Sequence, residues 1–397
     1  MSPVPRLRDY AGPVLLSYGF RPFFLLGAIY AGLAILAWLP MFNGELALST
    51  AFGPIDWHVH EMLYGYLPAV VTGFLLTAIP NWTGRLPIQG MPLLTLVALW
   101  LAGRVAVTLS AQIGWLPAAI VDVGFLVLVI AATAREIIAG KNWRNLRVIA
   151  MVTLLLAGNI AFHLEAHFNG SAEYGARIGI AAIVLLLAVI GGRIIPSFTR
   201  NWLARENPGR LPAPFARFDV AVILFSAAAL ALWTVQPAGR ITAAALAAAG
   251  VLHIVRLARW AGDRTWRDRL VLILHVGYVF VPLGFLLSGA AAFGVIPADA
   301  GTHAWTVGAA GVMTLAVMTR ASLGHTGNAL SASAVTQAVY AAVIIASLAR
   351  ICSSLEPNWK EFLLHVAAFA WVAAFFGFAV SYGPLLVGAR RGKAAQP

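Results

Sequence analysis

Two short histidine groupings carry the strongest chemical signal in this chain. Trp57-His58-Val59-His60-Glu61 places two imidazoles two residues apart with a carboxylate directly behind them. Phe162-His163-Leu164-Glu165-Ala166-His167 places two more four apart with a carboxylate between them. Imidazole is the commonest protein ligand for transition metals and also holds haem iron. Residues four apart share one helix face, so His163 and His167 have the spacing to grip one ion. His58 and His60 stand about 200° apart around a regular helix. They meet at one centre only if that helix unwinds locally, so one is expected to ligate and the other to hydrogen-bond nearby. Glu61 and Glu165 are then placed to orient an imidazole or to relay protons. The single cysteine, Cys352, excludes a disulfide framework, thiolate zinc sites and iron–sulfur clusters, which leaves the nine histidines as the main ligand inventory.

The elements that must position these groups are membrane helices. Of 397 residues 60% are hydrophobic and 11% charged, whereas a soluble domain carries about 25% charged residues. The net charge of +12 would suggest nucleic acid in a soluble protein; here the apolar excess requires lipid as solvent. Apolar runs of about 20 residues predict twelve spans, near 21–39, 58–80, 91–110, 115–134, 147–166, 176–196, 218–235, 241–258, 270–292, 303–320, 334–352 and 361–387. The fold class is therefore all-α, a polytopic membrane bundle, with residues 1–397 read as one integral membrane domain. The first run lacks a cleavage site and is read as a retained helix, not a signal peptide.

Lys and Arg fix the orientation. Twenty lie in one set of tails and connections (Arg6, Arg8, the groups around Arg135, Arg200 and Arg256, and Arg390, Arg391 and Lys393 among them), against four (Arg177, Arg240, Arg350 and Lys360) in the alternate set. Both termini are thus expected on the cytoplasmic side. His58, His60, His163, His167, His303 and His365 then fall at the outer level, and His253, His275 and His325 in the inner half. His253 reads as interfacial. Arg104 and Asp122, at equal depth in neighbouring spans, read as a buried structural ion pair, and Tyr64 as an aromatic packing residue.

Three inner helix ends resemble one another: Pro80 to Arg85, Arg193 to Trp202, and Met318 to Gly327, recurring about every four helices. Three four-helix arcs like the haem–copper oxidase core are one account of this, and chance similarity of apolar helix ends is the other. The paired and alternating histidines of that core are missing from the seventh and tenth spans.

Longer motifs point to a family. Gly19-Phe20-Arg21-Pro22-Phe23-Phe24, Trp57 to Met62, Gly73 to Gly84, Gly191 to Thr199, His303 to Gly308, and Arg320 to Gly327 with its Leu-Gly-His-Thr-Gly core together resemble the NnrS family. The resemblance runs from the first span to the tenth. It implies a bacterial inner-membrane protein of twelve helices that binds haem and copper and serves in the response to nitric oxide and nitrosative stress. His303 already joins the outer histidines of spans 2 and 5 as a metal ligand from span 10, and the resemblance brings His275 and His325 forward as well, with two centres at different depths if that inner pair ligates. Arg21, Arg193 and Arg320 become candidates for haem propionates, since Arg suits planar carboxylates; they fit equally as positive-inside anchors.

Joined together, these readings predict a b-type haem and a nearby copper that bind nitric oxide and reduce it to nitrous oxide. Glu61 or Glu165 would bring protons, an unidentified donor would bring electrons, and no nucleic acid is involved. Two rivals stand beside this oxidoreductase reading: a transporter or chaperone for copper or haem, and a binder or sensor of nitric oxide without turnover. Orientation is open to direct test. Reporter fusions after Lys141 and near Arg205 are expected to report cytoplasm and a fusion near Arg240 the opposite side; the reverse pattern overturns the orientation.

Overall fold

The computed structural model describes residues 10–390, and among them every regular element is helical. Twelve helices are long and apolar enough to cross a membrane: α1 (Phe20–Phe42), α2 (Pro54–Thr83), α3 (Met91–Thr108), α4 (Trp115–Ala139), α5 (Trp143–Asn169), α6 (Glu173–Glu206), α7 (Arg217–Val235), α8 (Arg240–Ala258), α9 (Arg269–Ala292), α10 (Ala298–Thr326), α11 (Ala334–Leu355) and α12 (Pro357–Val387). Lipid offers the backbone no hydrogen bonds, so a chain this apolar closes them within helices. The twelve expected spans are all present in order. The main difference is length. α6 continues through Pro196 to Glu206 and α10 continues to Thr326, so stretches expected as helix ends remain helical. Arg6, Arg8, Arg391 and Lys393, counted above for orientation, lie outside the described residues.

The chain divides into two compact units. The first holds α1 to α5, α6 as far as Gly179, α10 from Ala321 and α12 from Phe378. The second holds α6 from Ile180, α7 to α9, α10 as far as Arg320, α11, and α12 as far as Gly377.

Within the first unit α1 lies along α2, α3 along α4, and α4 along α5. α2 is not a uniform helix. Its Glu61–Tyr66 stretch is a wider π-helical turn that begins directly after His60. Pro68 explains the widening, because it has no N–H for the Tyr64 carbonyl and its ring crowds that group in a regular turn. π-turns often accompany functional sites. A second one, Ala304–Gly311, follows His303 in α10, whereas α6 is α-helical throughout. The widening therefore does not recur every four helices.

The beginning of α6 is clamped to α5 backbone against backbone. A Cβ on Gly175 would stand 2.5 Å from both Cα and N of Phe162. Glu165 accepts the backbone N–H groups of Tyr174 at 3.1 Å and Gly175 at 2.6 Å, satisfying donors left over at the start of α6. Tyr64 of α2 donates to the Gly175 carbonyl at 2.6 Å, which ties a third helix to the same point.

In the second unit α8 lies along α9, and α9 packs on the widened turn of α10. Trp305 anchors that contact, 5.0 Å from Phe285 and 5.4 Å from Trp233 by ring centroids, with its indole N–H on the Val281 carbonyl at 3.1 Å. The clamp at Gly175 makes a prediction. Gly175→Ala is expected to cost about 1–3 kcal/mol through overpacking and to lower the thermal midpoint in detergent. Gly53→Ala, in open space, should leave the midpoint unchanged; equal effects would show that the close approach is not what constrains Gly175.

Candidate metal centre

In the first unit α2, α4 and α5 bring three ligand-type side chains to one buried point. One ligand atom each from His60, Asp122 and His163 lies within 4.8 Å of the others. Their exposures are 0%, 1% and 4%. Asp122 Oδ2 is the hub: His163 Nε2 stands 3.0 Å from it and His60 Nε2 3.2 Å. Ligating histidines ordinarily give their other ring N–H to a carboxylate, and His60 has that arrangement, with Nδ1 2.9 Å from Glu61 Oε1.

Two carboxylates buried this close repel each other unless a cation intervenes. Arg104 is that cation. Its NH1 lies 2.7 Å from both oxygens of Glu61, and its NH2 bonds Asp122 Oδ1. Tyr30 of α1 completes the Glu61 shell by donating to Oε2. Each partner takes a different oxygen of Asp122, Arg104 on Oδ1 and the histidines on Oδ2. Phe52 and Phe162 wall the two imidazoles at centroid distances of 5.1 Å and 5.2 Å from His60, so the cluster is dry on that side. Two imidazoles and one carboxylate, with Glu61 behind His60 and Arg104 behind Asp122, are a donor set suited to a first-row transition ion.

The remaining expected residues lie elsewhere. His58 stacks on Trp38 of α1 at 4.2 Å, and His167 stacks on Trp115 at 4.2 Å. The i, i+4 partner of His163 in the cluster is thus not His167 but Asn159, one turn the other way. Glu165 caps α6, as described above. Arg104 and Asp122 do form the expected ion pair, but Asp122 is also the hub of the cluster.

Elsewhere in the first unit, His325 is stacked on Tyr18 at 5.5 Å and tilted against Phe20 at 5.4 Å; among the described residues neither of its ring nitrogens is hydrogen-bonded. Tyr18 donates to the Thr77 carbonyl at 3.4 Å, and burial pushes its phenol up to about 12, so it stays a donor. Thr77 lies seventeen residues beyond His60 in α2, about 25 Å along the axis. His325 and His60 therefore serve different levels. Arg21 NH1 donates to the carbonyls of Leu386 at 2.7 Å and Gly388 at 2.8 Å, closing the end of α12.

In the second unit His275 Nε2 meets Thr199 Oγ1 at 2.8 Å. The Thr199 hydroxyl donates to the Ile195 carbonyl at 2.8 Å, so the imidazole supplies the proton to Thr199. Among the described residues its Nδ1 has no partner, and it faces Gly262, where a Cβ would come within 2.5 Å of it. His303 Nδ1 lies 2.6 Å from the Asp299 carbonyl. Arg320 lies over the Phe198 ring at 4.3 Å, and Arg193 is exposed. His253, expected at an interface, is instead fully buried. It bridges Ser226 at 2.9 Å and Tyr278 at 3.0 Å, and Arg256 joins Tyr278 to Asp219 at 2.8 Å and 3.0 Å. With both nitrogens so engaged, His253 locks helices together.

The chain matches the family described as NnrS protein over residues 14–390, nearly its whole length. It belongs to the NnrS family. No curated protein matches it. NnrS membership fits a membrane protein of the nitric oxide response, and the family's association with haem and copper agrees with a buried His/Asp site of this kind.

Two members of the centre were missed in the sequence. Asp122 was absorbed into its ion pair with Arg104, and Asn159 was not considered; a carboxamide midway along an apolar span, four residues before a histidine, was the available signal. Arg104 yields a prediction. Arg104→Met leaves two buried carboxylates uncompensated and is expected to cost about 3–5 kcal/mol, read as a lower thermal midpoint. Adding Glu61→Gln should recover much of that loss. A double variant no more stable than the single one would show that charge neutralisation is not the role of Arg104.

Proposed function

We propose that this NnrS chain binds nitric oxide and reduces it to nitrous oxide in the bacterial inner membrane, with both termini cytoplasmic. The carrying observation is the convergence of His60, Asp122 and His163 at one buried point, backed by Glu61 and Arg104. A copper ion fits that donor set, and when bound it would supply an electron and an electrophile for charge developing on oxygen. Of the chain's histidines His325 would best hold the haem implied by the family, since among the described residues neither of its ring nitrogens is hydrogen-bonded. His275 fits less well, since Thr199 occupies one nitrogen and Gly262 covers the other.

The chain's own contributions follow from the geometry. Nitric oxide is small and uncharged, so it enters from lipid, and Phe52 and Phe162 keep the imidazoles in an apolar setting. Two nitric oxide molecules, two protons and two electrons give nitrous oxide and water; the electrons come from a separate donor protein or quinol. Glu61 is the residue best placed to hold a proton beside the centre, because Tyr30, His60 and Arg104 all touch its carboxylate. Glu165 is committed to the start of α6 and serves the reaction less directly.

The test is the metal content and absorption of the detergent-purified protein, with nitrous oxide measured under an artificial donor. The intact protein is expected to carry haem and a second metal and to produce nitrous oxide. Asp122→Ala should lose the second metal and turnover while keeping the haem absorption, and His325→Ala should lose the haem absorption. A haem shift on adding nitric oxide without nitrous oxide would make the protein a binder, and exchange of loosely held metal would make it a transporter.

A further inference from the structure

Asn159 takes no part in the proposed reaction, yet it is wholly buried inside the cluster. Its Nδ2 donates to Asp122 Oδ2 at 2.8 Å, and its Oδ1 lies 3.1 Å from His60 Nε2. The carboxamide cannot be turned over. Exchanging O and N would set its oxygen against a carboxylate oxygen that already anchors the cluster. Oδ1 is therefore held facing His60 Nε2, and that nitrogen faces two oxygens, Asp122 Oδ2 and Asn159 Oδ1, neither of which can donate to it. In the tautomer whose Nδ1–H donates to Glu61, Nε2 presents a lone pair to these oxygens, and a cation between the three atoms reconciles them.

We propose that Asn159 is a fourth ligand of the centre, binding through its carboxamide oxygen. The inference rests on the reading of this cluster as a metal site. The donor set becomes two imidazole nitrogens, one carboxylate oxygen and one carboxamide oxygen, with no sulfur. Soft thiolate and thioether ligands select Cu(I), whereas imidazole and oxygen donors suit divalent ions. Asn159 accordingly tunes the site toward the divalent state of its ion. The α5 face supports this, since Asn159 and His163 are one turn apart on the same helix and both contact Asp122 Oδ2.

Loss of affinity alone would not separate a ligand from a positioning residue, since removing an outer partner also weakens metal sites about 10–100-fold. The experiment therefore counts bound water. Full-length protein in detergent is loaded with Cu(II), transferred to D2O, and the deuterium modulation of the electron spin echo gives the number of coordinated waters. Asn159→Ala is expected to gain one water and bind Cu(II) about tenfold more weakly. Asn159→Asp, which keeps an oxygen donor, should return to the water count of the unmodified protein. An unchanged count in Asn159→Ala, with Cu(II) still bound, would make Asn159 a positioning residue and overturn this inference alone. No bound Cu(II) in the unmodified protein would overturn the metal site together with it.

Discussion

One guanidinium holds two carboxylates at the same depth inside the membrane, and the first unit is organised around that neutralisation. Any charge placed there costs several kcal/mol unless it is paired. Arg104 pairs with Glu61 through one nitrogen and with Asp122 through the other, and it leaves Asp122 Oδ2 open to α5 and to His60. The ion pair and the ligand cluster are thus one construction. Arg104 compensates the Asp122 charge through Oδ1 and leaves Oδ2 placed to serve as a ligand. The π-turn after His60 and the clamp at Gly175 set α2, α5 and the start of α6 at the spacing this needs.

The second unit repeats the idea without the open oxygen. Asp219 and Arg256 pair on α7 and α8, and Tyr278 and His253 extend the network to Ser226. The Ser226 hydroxyl goes on to the Val222 carbonyl, so the chain of donors ends on backbone. Both His253 nitrogens are used, and the network binds helices rather than ions. Similar residue types in the two units therefore do different work, decided by whether the hub oxygen is left with room for another partner.

Much of the architecture was readable from composition alone, because twelve apolar runs in a chain with so few charges admit one solvent and one secondary structure. That His60 and His163 share one level of the bundle was legible too, since one begins its span and the other ends a span running the opposite way. The partners of these residues were not. Helical spacing offered His167 to His163 as readily as Asn159, and only the packing of α4 against α5 chooses between them. Asp122 was hidden for a different reason: its pairing with Arg104 was a sufficient explanation of a buried charge, and nothing in one sequence shows that an aspartate has a second oxygen in use. The length of α6 and α10 was underestimated because Pro196 and the glycines near His325 resemble breakers, while membrane helices tolerate both.

The most direct measurement is anomalous scattering from crystals of the metal-loaded protein, collected at the copper and iron edges. The account predicts a non-haem peak between α2, α4 and α5, about 2.0–2.2 Å from a nitrogen of His60, a nitrogen of His163 and an oxygen of Asp122. Peaks found elsewhere in the protein, with these three side chains bonded only to one another, would contradict it.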